Sequence, residues 1–254
     1  MSKALLELKN VHKSFGSKHV LQGFDLDVAP GKSIVIIGGS GTGKSVSIKC
    51  ALGLLEPDSG EMFFDGKQIG PHHADNREDM RHRTGMLFQA GALFDSLSVW
   101  QNVAFRLLHV EKMKASEAKE QAIETLKKVR LGADIAHQYP AELSGGMQKR
   151  VSLARTIITK PELIFFDEPT TGLDPITADA INDLILEQTK TLGAASVTIT
   201  HDMASARKIS DEIAMLVDGK IIWRGASADV DHSGNAYVDQ FVHGRAEGPI
   251  QPIR

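Results

Sequence analysis

The sequence predicts an α/β fold with a mostly parallel sheet core, an antiparallel β subdomain and an inserted α-helical subdomain. Three observations carry this. Apolar runs of strand length alternate with helical patterns: 34–37 then 46–54, 163–166 then 176–192, and 195–200 then 204–209. That alternation is the order a parallel sheet covered on both faces requires. At the front, segments 5–11, 20–28, 61–64 and 67–69 alternate apolar and polar and are divided by turn residues, which reads as antiparallel strands. From about 95 to 158 the period switches to helical with no strand pattern between.

Taken in order, 5–11 and 20–28 are expected strands, with Lys13-Ser14-Phe15-Gly16 placing an aromatic on the turn between them. Ala29-Pro30-Gly31-Lys32 turns the chain into the strand 34–37. A helix over 46–54 carries Cys50, which reads as a small core residue. A hairpin follows, 61–64 and 67–69 across Asp65-Gly66. Residues 71–83 hold His72, His73 and His82, a ligand type for metals. No cysteine or suitably spaced carboxylate accompanies them, so the expectation is a solvated loop. Strand 84–88 ends at Gln89, and a helical pattern covers 101–108. The clearest amphipathic helix is 115–129, with Ala118, Ala122, Leu126 and Val129 on one face and Ser116 as the expected N-cap. A closing hairpin, 212–217 and 220–224, crosses Asp218-Gly219. Tyr237, Phe241 and Val242 have the spacing to dock a short helix, and 244–254 reads as a tail.

Bulk properties narrow the classes. The chain has 254 residues, enough for a sizeable core, and 29 Lys and Arg against 32 Asp and Glu give a net charge of −3. Nucleic-acid binding therefore has no basic excess behind it. No window approaches the roughly 20 apolar residues of a membrane span. Lys3 and Glu7 fall where a signal peptide needs its apolar region. One cysteine excludes an internal disulfide and fits a reducing compartment. The expectation is a soluble cytoplasmic protein, any membrane role of which must come through a partner.

Strand 34–37 breaks into Gly38-Gly39-Ser40-Gly41-Thr42-Gly43-Lys44-Ser45 and then into a helix. This is G-x-x-x-x-G-K-[ST] between strand and helix, the context the phosphate loop needs. Its glycines let backbone N–H groups turn inward around a phosphate chain, and the positive helix end faces the same place. Lys44 supplies charge for β- and γ-phosphates, and the Ser45 hydroxyl is suited to Mg²⁺. Far along the chain, strand 163–166 ends in Asp167-Glu168, at the strand end where α/β sheets place ligands. Asp167 suits the Mg²⁺ shell and Glu168 can accept a hydrogen bond from attacking water. A nucleoside triphosphate with Mg²⁺ is the expected ligand.

Leu143-Ser144-Gly145-Gly146-Met147-Gln148-Lys149-Arg150 resembles the signature of ABC-transporter ATPase domains, with Met147 where Gln is commoner. Gln89 matches that family's Q-loop, Asp167-Glu168-Pro169-Thr170 its Walker B, Gly172-Leu173-Asp174 its D-loop and His201 its switch histidine. Phe15 stands where an adenine-stacking aromatic, usually Tyr, is found. The resemblance covers about 5–225 and implies the ABC ATPase variety of the P-loop NTPase fold, with 1–234 as the ATPase domain and 235–254 as a C-terminal extension. It implies a homodimer in which Ser144, Gly145 and Gly146 face the γ-phosphate held by the other subunit. His201 would orient water and contact that phosphate, Gln89 would sense Mg²⁺ and water, and Asp174 would hold the dimer interface.

Residues 85–103, together with the Leu-Ser-Gly-Gly-Met form, are similar to ATPase subunits of Mla/Mce-type phospholipid transporters of Gram-negative envelopes. That likeness implies an integral-membrane permease, a periplasmic lipid-binding protein of MCE type and, in some members, a small regulatory subunit. The ATPase would lie on the cytoplasmic face of the inner membrane. Leu93, Phe94, Leu97 and Trp100 are either subdomain core or an apolar socket for a permease helix. The tail either packs on its own domain or reaches the partner subunit. Two other functions stay open: the ATPase of an importer for a small polar solute such as an amino acid, and a non-transport ABC ATPase acting on ribosomes or DNA. The latter normally has two cassettes or a long coiled coil, and neither is present. A P-loop kinase or GTPase is opposed by the signature, Gln89 and His201 together.

Overall fold

The computed structural model describes residues 3–251; the last three residues of the expected extension lie outside them. The described residues divide into two compact units, one formed by 3–82 together with 195–251, the other by Arg83–Ala194.

In the first unit, β1 (Leu6–Phe15), β2 (Lys18–Val28), β4 (Ser59–Phe64) and β5 (Lys67–Ile69) form an antiparallel sheet in the order β2-β1-β4-β5. Leu6 and Leu8 of β1, Phe24 and Val28 of β2 and Phe64 of β4 are buried, the period-2 pattern of a half-covered sheet. Phe15 closes β1 and is not on the turn itself, since pairing with Lys18 extends the strand to that residue. The other strands of this unit are β3 (Ser33–Ile37), β8 (Ala195–Ile199), β9 (Glu212–Val217) and β10 (Lys220–Ala226). β3 runs parallel to both β8 and β9, and β10 is an antiparallel edge on β9. Ile34 through Ile37 are all buried, as expected of a strand flanked by parallel neighbours.

Three local expectations change here. Helix α1 spans Lys44–Ala51, starting two residues earlier than the apolar pattern implied. Segment 71–83 is not a solvated loop, because α2 occupies Ala74–Arg83. Only Met80 of α2 is buried, so no apolar stripe announced it. It is held by polar contacts: Arg77 grips Glu56 with two bonds of 2.5 and 2.9 Å, and Asn76 donates to the Gln68 carbonyl at 2.8 Å. After α8 (Met203–Ile209), the short helix α9 (Ala236–His243) buries Val238 and Gln240, while Tyr237, Phe241 and Val242 are only half-buried.

In the second unit, β6 (Thr84–Leu87) and β7 (Leu163–Asp167) pair in parallel. Between them come α3 (Val99–Val103), α4 (Phe105–His109), α5 (Ala115–Lys128) and α6 (Gly145–Ile157), and α7 (Pro175–Leu192) follows β7. The compact unit is thus wider than the helical block expected at 95–158 and includes two strands and α7. The expected single helix over 101–108 is two, because Ala104 departs from helical geometry with ψ 3. In α5 the predicted face holds, with Ala118, Ala122, Leu126 and Val129 all fully buried. Its N-cap is Lys114 and not Ser116, because the chain is already helical at Ala115. No helix among the described residues is long and apolar enough to cross a membrane.

Candidate phosphate-loop and carboxylate sites

In the first unit, β3 delivers the chain into the loop at Gly38 and α1 takes it up at Lys44. Two glycines are obligatory. Gly38 has φ 154 and a Cβ there would run into the Leu216 carbonyl; Gly43 has φ 106, and a Cβ would stand 2.8 Å from the Val20 carbonyl oxygen. These glycines keep the backbone concave and close to its neighbours. Lys44 is buried, and its Nζ donates to the Gly38 and Gly39 carbonyls at 2.7 Å each. The ammonium is thereby fixed across the loop. Thr42 Oγ1 donates to the Gly39 carbonyl at 3.0 Å, which leaves Ser40 and Gly41 exposed at the tip. The N-terminus of α1 has Gly43 as its cap, no side-chain cap and no acidic residue in the first turn. Its N–H groups and dipole are therefore directed at whatever anion enters. The backbone cradle, lysine and Ser45 hydroxyl suit a polyphosphate.

The same unit carries Phe15 and His201. The Phe15 ring is about half exposed, with Lys13 Nζ 5.6 Å from its centroid. Asp58 anchors this corner, accepting from Lys13 Nζ at 2.7 Å and from the Ser14 N–H at 2.6 Å. Those two partners, Lys13 first, hold the Asp58 carboxyl below its usual range. His201 is exposed where β8 ends, followed by Asp202, whose carboxylate caps α8 through Ala204 and Ser205.

The second unit gathers the remaining predicted residues. Asp167 ends β7 and is buried. Glu168 follows at φ 45, a left-handed conformation rare for this residue type and costly by about 1–3 kcal/mol. That turn brings its carboxylate out of the strand line, where Thr171 Oγ1 donates to it at 2.6 Å. Ser144 caps α6, its Oγ accepting from the Met147 N–H at 3.3 Å, and Ser144 and Gly145 are exposed at a helix start with no acid in its first turn. Gly146 is packed closely, since a Cβ would lie 2.8 Å from Thr177 Cγ2. Asp174 is the N-cap of α7, accepting from the Ile176 and Thr177 N–H groups at 3.0 Å each. Hydrogen bonds from Thr177, then Ile176, keep its carboxyl below the ordinary value. Asp174 thus has a local structural task that sequence reading did not assign.

Gln89 lies exposed just beyond β6, and the chain from there to Ala92 is held by α6. Sequence reading missed Lys149, a buried lysine on α6 whose Nζ donates to the Gln89 carbonyl. A signal existed: Lys149 lies one, two and two helical turns before Leu153, Thr156 and Ile157, all buried. Asn102 was missed too. Fully buried, it accepts from the Phe94 N–H at 2.7 Å and donates to the Phe94 and Leu97 carbonyls at 3.0 Å each. The loop it clamps presents Phe94 to solvent, stacked on Phe105 at 4.5 Å, while Leu93, Leu97 and Trp100 are half-buried.

The chain matches the family model described as ABC transporter over residues 21–171. It is 39% identical over 98% of its length, and 76% of the other's, to the Arabidopsis thaliana protein TRIGALACTOSYLDIACYLGLYCEROL 3, chloroplastic. The "Probable ribonucleotide transport ATP-binding protein mkl" of Mycobacterium leprae is 38% identical over 96% of this chain and 70% of its own. The intermembrane phospholipid transport system ATP-binding protein MlaF of Haemophilus influenzae is 37% identical over 99% of this chain and 95% of its own. Among solved structures, a dimeric ATP-binding cassette in a post-hydrolysis state with ADP and phosphate superposes with a TM-score of 0.79, 30% identity, and coverage of 87% of this chain and 98% of that one. The family match at 21–171 takes in the loop at 38–45, the start of α6 and the β7 carboxylates, and the chain accordingly belongs to the ABC transporter family as a nucleotide-binding ATPase.

Proposed function

We propose that this chain is the ATPase subunit of a membrane phospholipid transporter, acting as a homodimer that ATP closes and hydrolysis reopens. One observation carries the cargo assignment: the relative matched nearly end to end in both chains, 99% and 95%, is named for intermembrane phospholipid transport. The likeness of 85–103 and the Leu-Ser-Gly-Gly-Met signature to Mla/Mce-type subunits supports it. Lys44, the loop from Gly38 to Gly43 and Ser45 bind the phosphates, and Phe15 stacks on adenine. Ser144, Gly145 and Gly146 offer an exposed helix start to the γ-phosphate of the other subunit, so closure is favoured by ATP binding the closed dimer better than the open one. Glu168 orients the attacking water and accepts its proton, helped by His201 and Gln89. Phosphoryl transfer asks little covalent chemistry of a protein, and positioned charge does most of the work.

Ser45, Asp167 and Gln89 offer the hard oxygen ligands that Mg²⁺ takes, and when bound the ion neutralises charge on the phosphates. Asp174 steadies the dimer interface by fixing the start of α7. The half-buried apolar loop at Phe94 is the docking socket for a cytoplasmic helix of the permease. Through that permease the subunit sits on the cytoplasmic face of the inner membrane, beneath a periplasmic MCE-type lipid-binding protein and, in some assemblies, a small regulatory subunit. Residues from 235 onward form a C-terminal extension to the ATPase domain.

A small polar solute is the second reading, favoured by the relative named for ribonucleotide transport. Mass spectrometry of what copurifies from native membranes separates the two. Phospholipid with a permease and an MCE-type protein is the expected result; a solute-binding protein, or ribosomes and nucleic acid, would overturn the assignment.

A further inference from the structure

The roles above leave one chemically expensive residue unused. Lys149 lies on α6, one turn beyond the signature glycines, and only 7% of it is exposed. A lysine desolvated this far is costly unless its donors and its charge are both met. Its Nζ donates to the Gln89 carbonyl. Its charge is offset by Asp167 and Glu168, whose attraction works against the burial that pulls the Lys149 pKa below the ordinary lysine value. Asp167 is itself 8% exposed, so cation and acid share a region poor in water, where charges act strongly on one another.

The contact with Gln89 belongs to a series along one face of α6. Ser152 Oγ donates to the Gly91 carbonyl at 2.8 Å, and Arg155 reaches the Gly91 and Ala92 carbonyls at 2.8 and 2.7 Å. Thr156 Oγ1 donates to the Met86 carbonyl at 3.1 Å. The main chain from Met86 of β6 through Gln89 to Ala92 is therefore fastened to α6 by side chains one and two turns apart. Lys149 differs from the other three in also being attracted electrostatically by Asp167 and Glu168.

We propose that Lys149 is a positioning residue for ATP hydrolysis: it holds the Gln89 main chain on the signature helix and places one buried positive charge beside Asp167 and Glu168. This rests on the roles given to Gln89 and Glu168 above. The phosphates are bound by Lys44 and its loop in the other unit, so loss of Lys149 impairs the chemical step and spares nucleotide affinity. Arginine keeps charge and donor, although its planar fork fits less well than an ammonium.

The test compares steady-state ATP hydrolysis and equilibrium ATP affinity for the full chain carrying Lys149→Met, Lys149→Arg or Glu168→Gln. Lys149→Met is expected to lower kcat by about tenfold to a hundredfold, the scale of a misplaced catalytic group, with KM and affinity held within about twofold. Lys149→Arg is expected to recover most of kcat. If the methionine variant does not fold, Lys149→Gln, which keeps a donor and no charge, replaces it under the same criteria. Unchanged kcat in the neutral variant, a rise in KM alone, or no recovery with arginine overturns the proposal. Normal hydrolysis by Glu168→Gln would instead overturn the reading beneath it, whatever Lys149→Met does.

Discussion

Gly43→Ala tests the physical basis of the phosphate loop with a single methyl group. Gly43 has φ 106 and ψ 2, where a residue with a Cβ is strained by about 1–3 kcal/mol. The new Cβ would also stand 2.8 Å from the Val20 carbonyl oxygen and 3.1 Å from Leu21 Cδ2, both on β2. Backbone cannot give way as a flexible side chain can, so β2 or the start of α1 must shift, at a further cost of about 1 kcal/mol or more. The sum is about 3 kcal/mol, and in a chain of this size each kcal/mol lowers Tm by about 2–4 °C. A fall of about 6–12 °C is expected. Gly193→Ala is the control. Gly193 ends α7 at φ 64 with nothing within 4 Å of a would-be Cβ, so strain acts alone, at about 1 kcal/mol and about 2–4 °C. Thermal unfolding followed by circular dichroism, with fluorescent ATP titration, measures both effects. Gly43→Ala should also lose nucleotide affinity, because α1 begins at the next residue, whereas Gly193→Ala should bind as wild type. A Gly43→Ala protein that melts with the control and binds ATP normally would refute the reasoning.

Two further predictions concern titratable groups. Asp58 has a depressed carboxyl in the folded chain, so its stabilising effect is complete above the unfolded value near about 3.9 and is lost as pH falls through the lower folded value. The Tm difference between wild type and Asp58→Asn should stay constant from pH 9 to pH 5 and shrink only below about pH 4; a difference that closes near neutrality would contradict this. Asp58→Asn should also weaken ATP binding a few-fold by loosening the corner that carries Phe15. Cys50 is fully buried, and desolvation pushes its thiol up to about 11. A disulfide reagent at pH 8 should leave it unmodified in the folded chain and react once the chain is unfolded; fast labelling of native protein would remove it from the core.

How legible the molecule was depends on which physical signal each part emits. β3, β7 and α5 were legible because burial of one face writes an apolar period into the sequence, and the phosphate loop because its geometry demands glycines at set spacing. α2 was not, since a helix resting on Arg77, Glu56 and Asn76 needs no stripe. The true cap of α5 was hidden because Lys114 caps it with backbone alone. Lys44 and Glu168 stood out by residue type and by their place beyond strand ends, but the φ of 45 at Glu168 is a property of the folded chain. Lys149 and Asn102 were overlooked for one reason: a polar residue on a buried face reads as solvated until its partners are in place.

The most direct test of the central claim, that ATP closes two copies of this chain and Glu168 reopens them through hydrolysis, is size-exclusion chromatography of Glu168→Gln with Mg-ATP. Removing the carboxylate charge while keeping its shape should leave ATP binding intact, abolish turnover and shift the protein to a stable dimer, with ADP restoring the monomer. A Glu168→Gln protein that hydrolyses ATP at the wild-type rate and elutes as a monomer in saturating Mg-ATP would contradict the account.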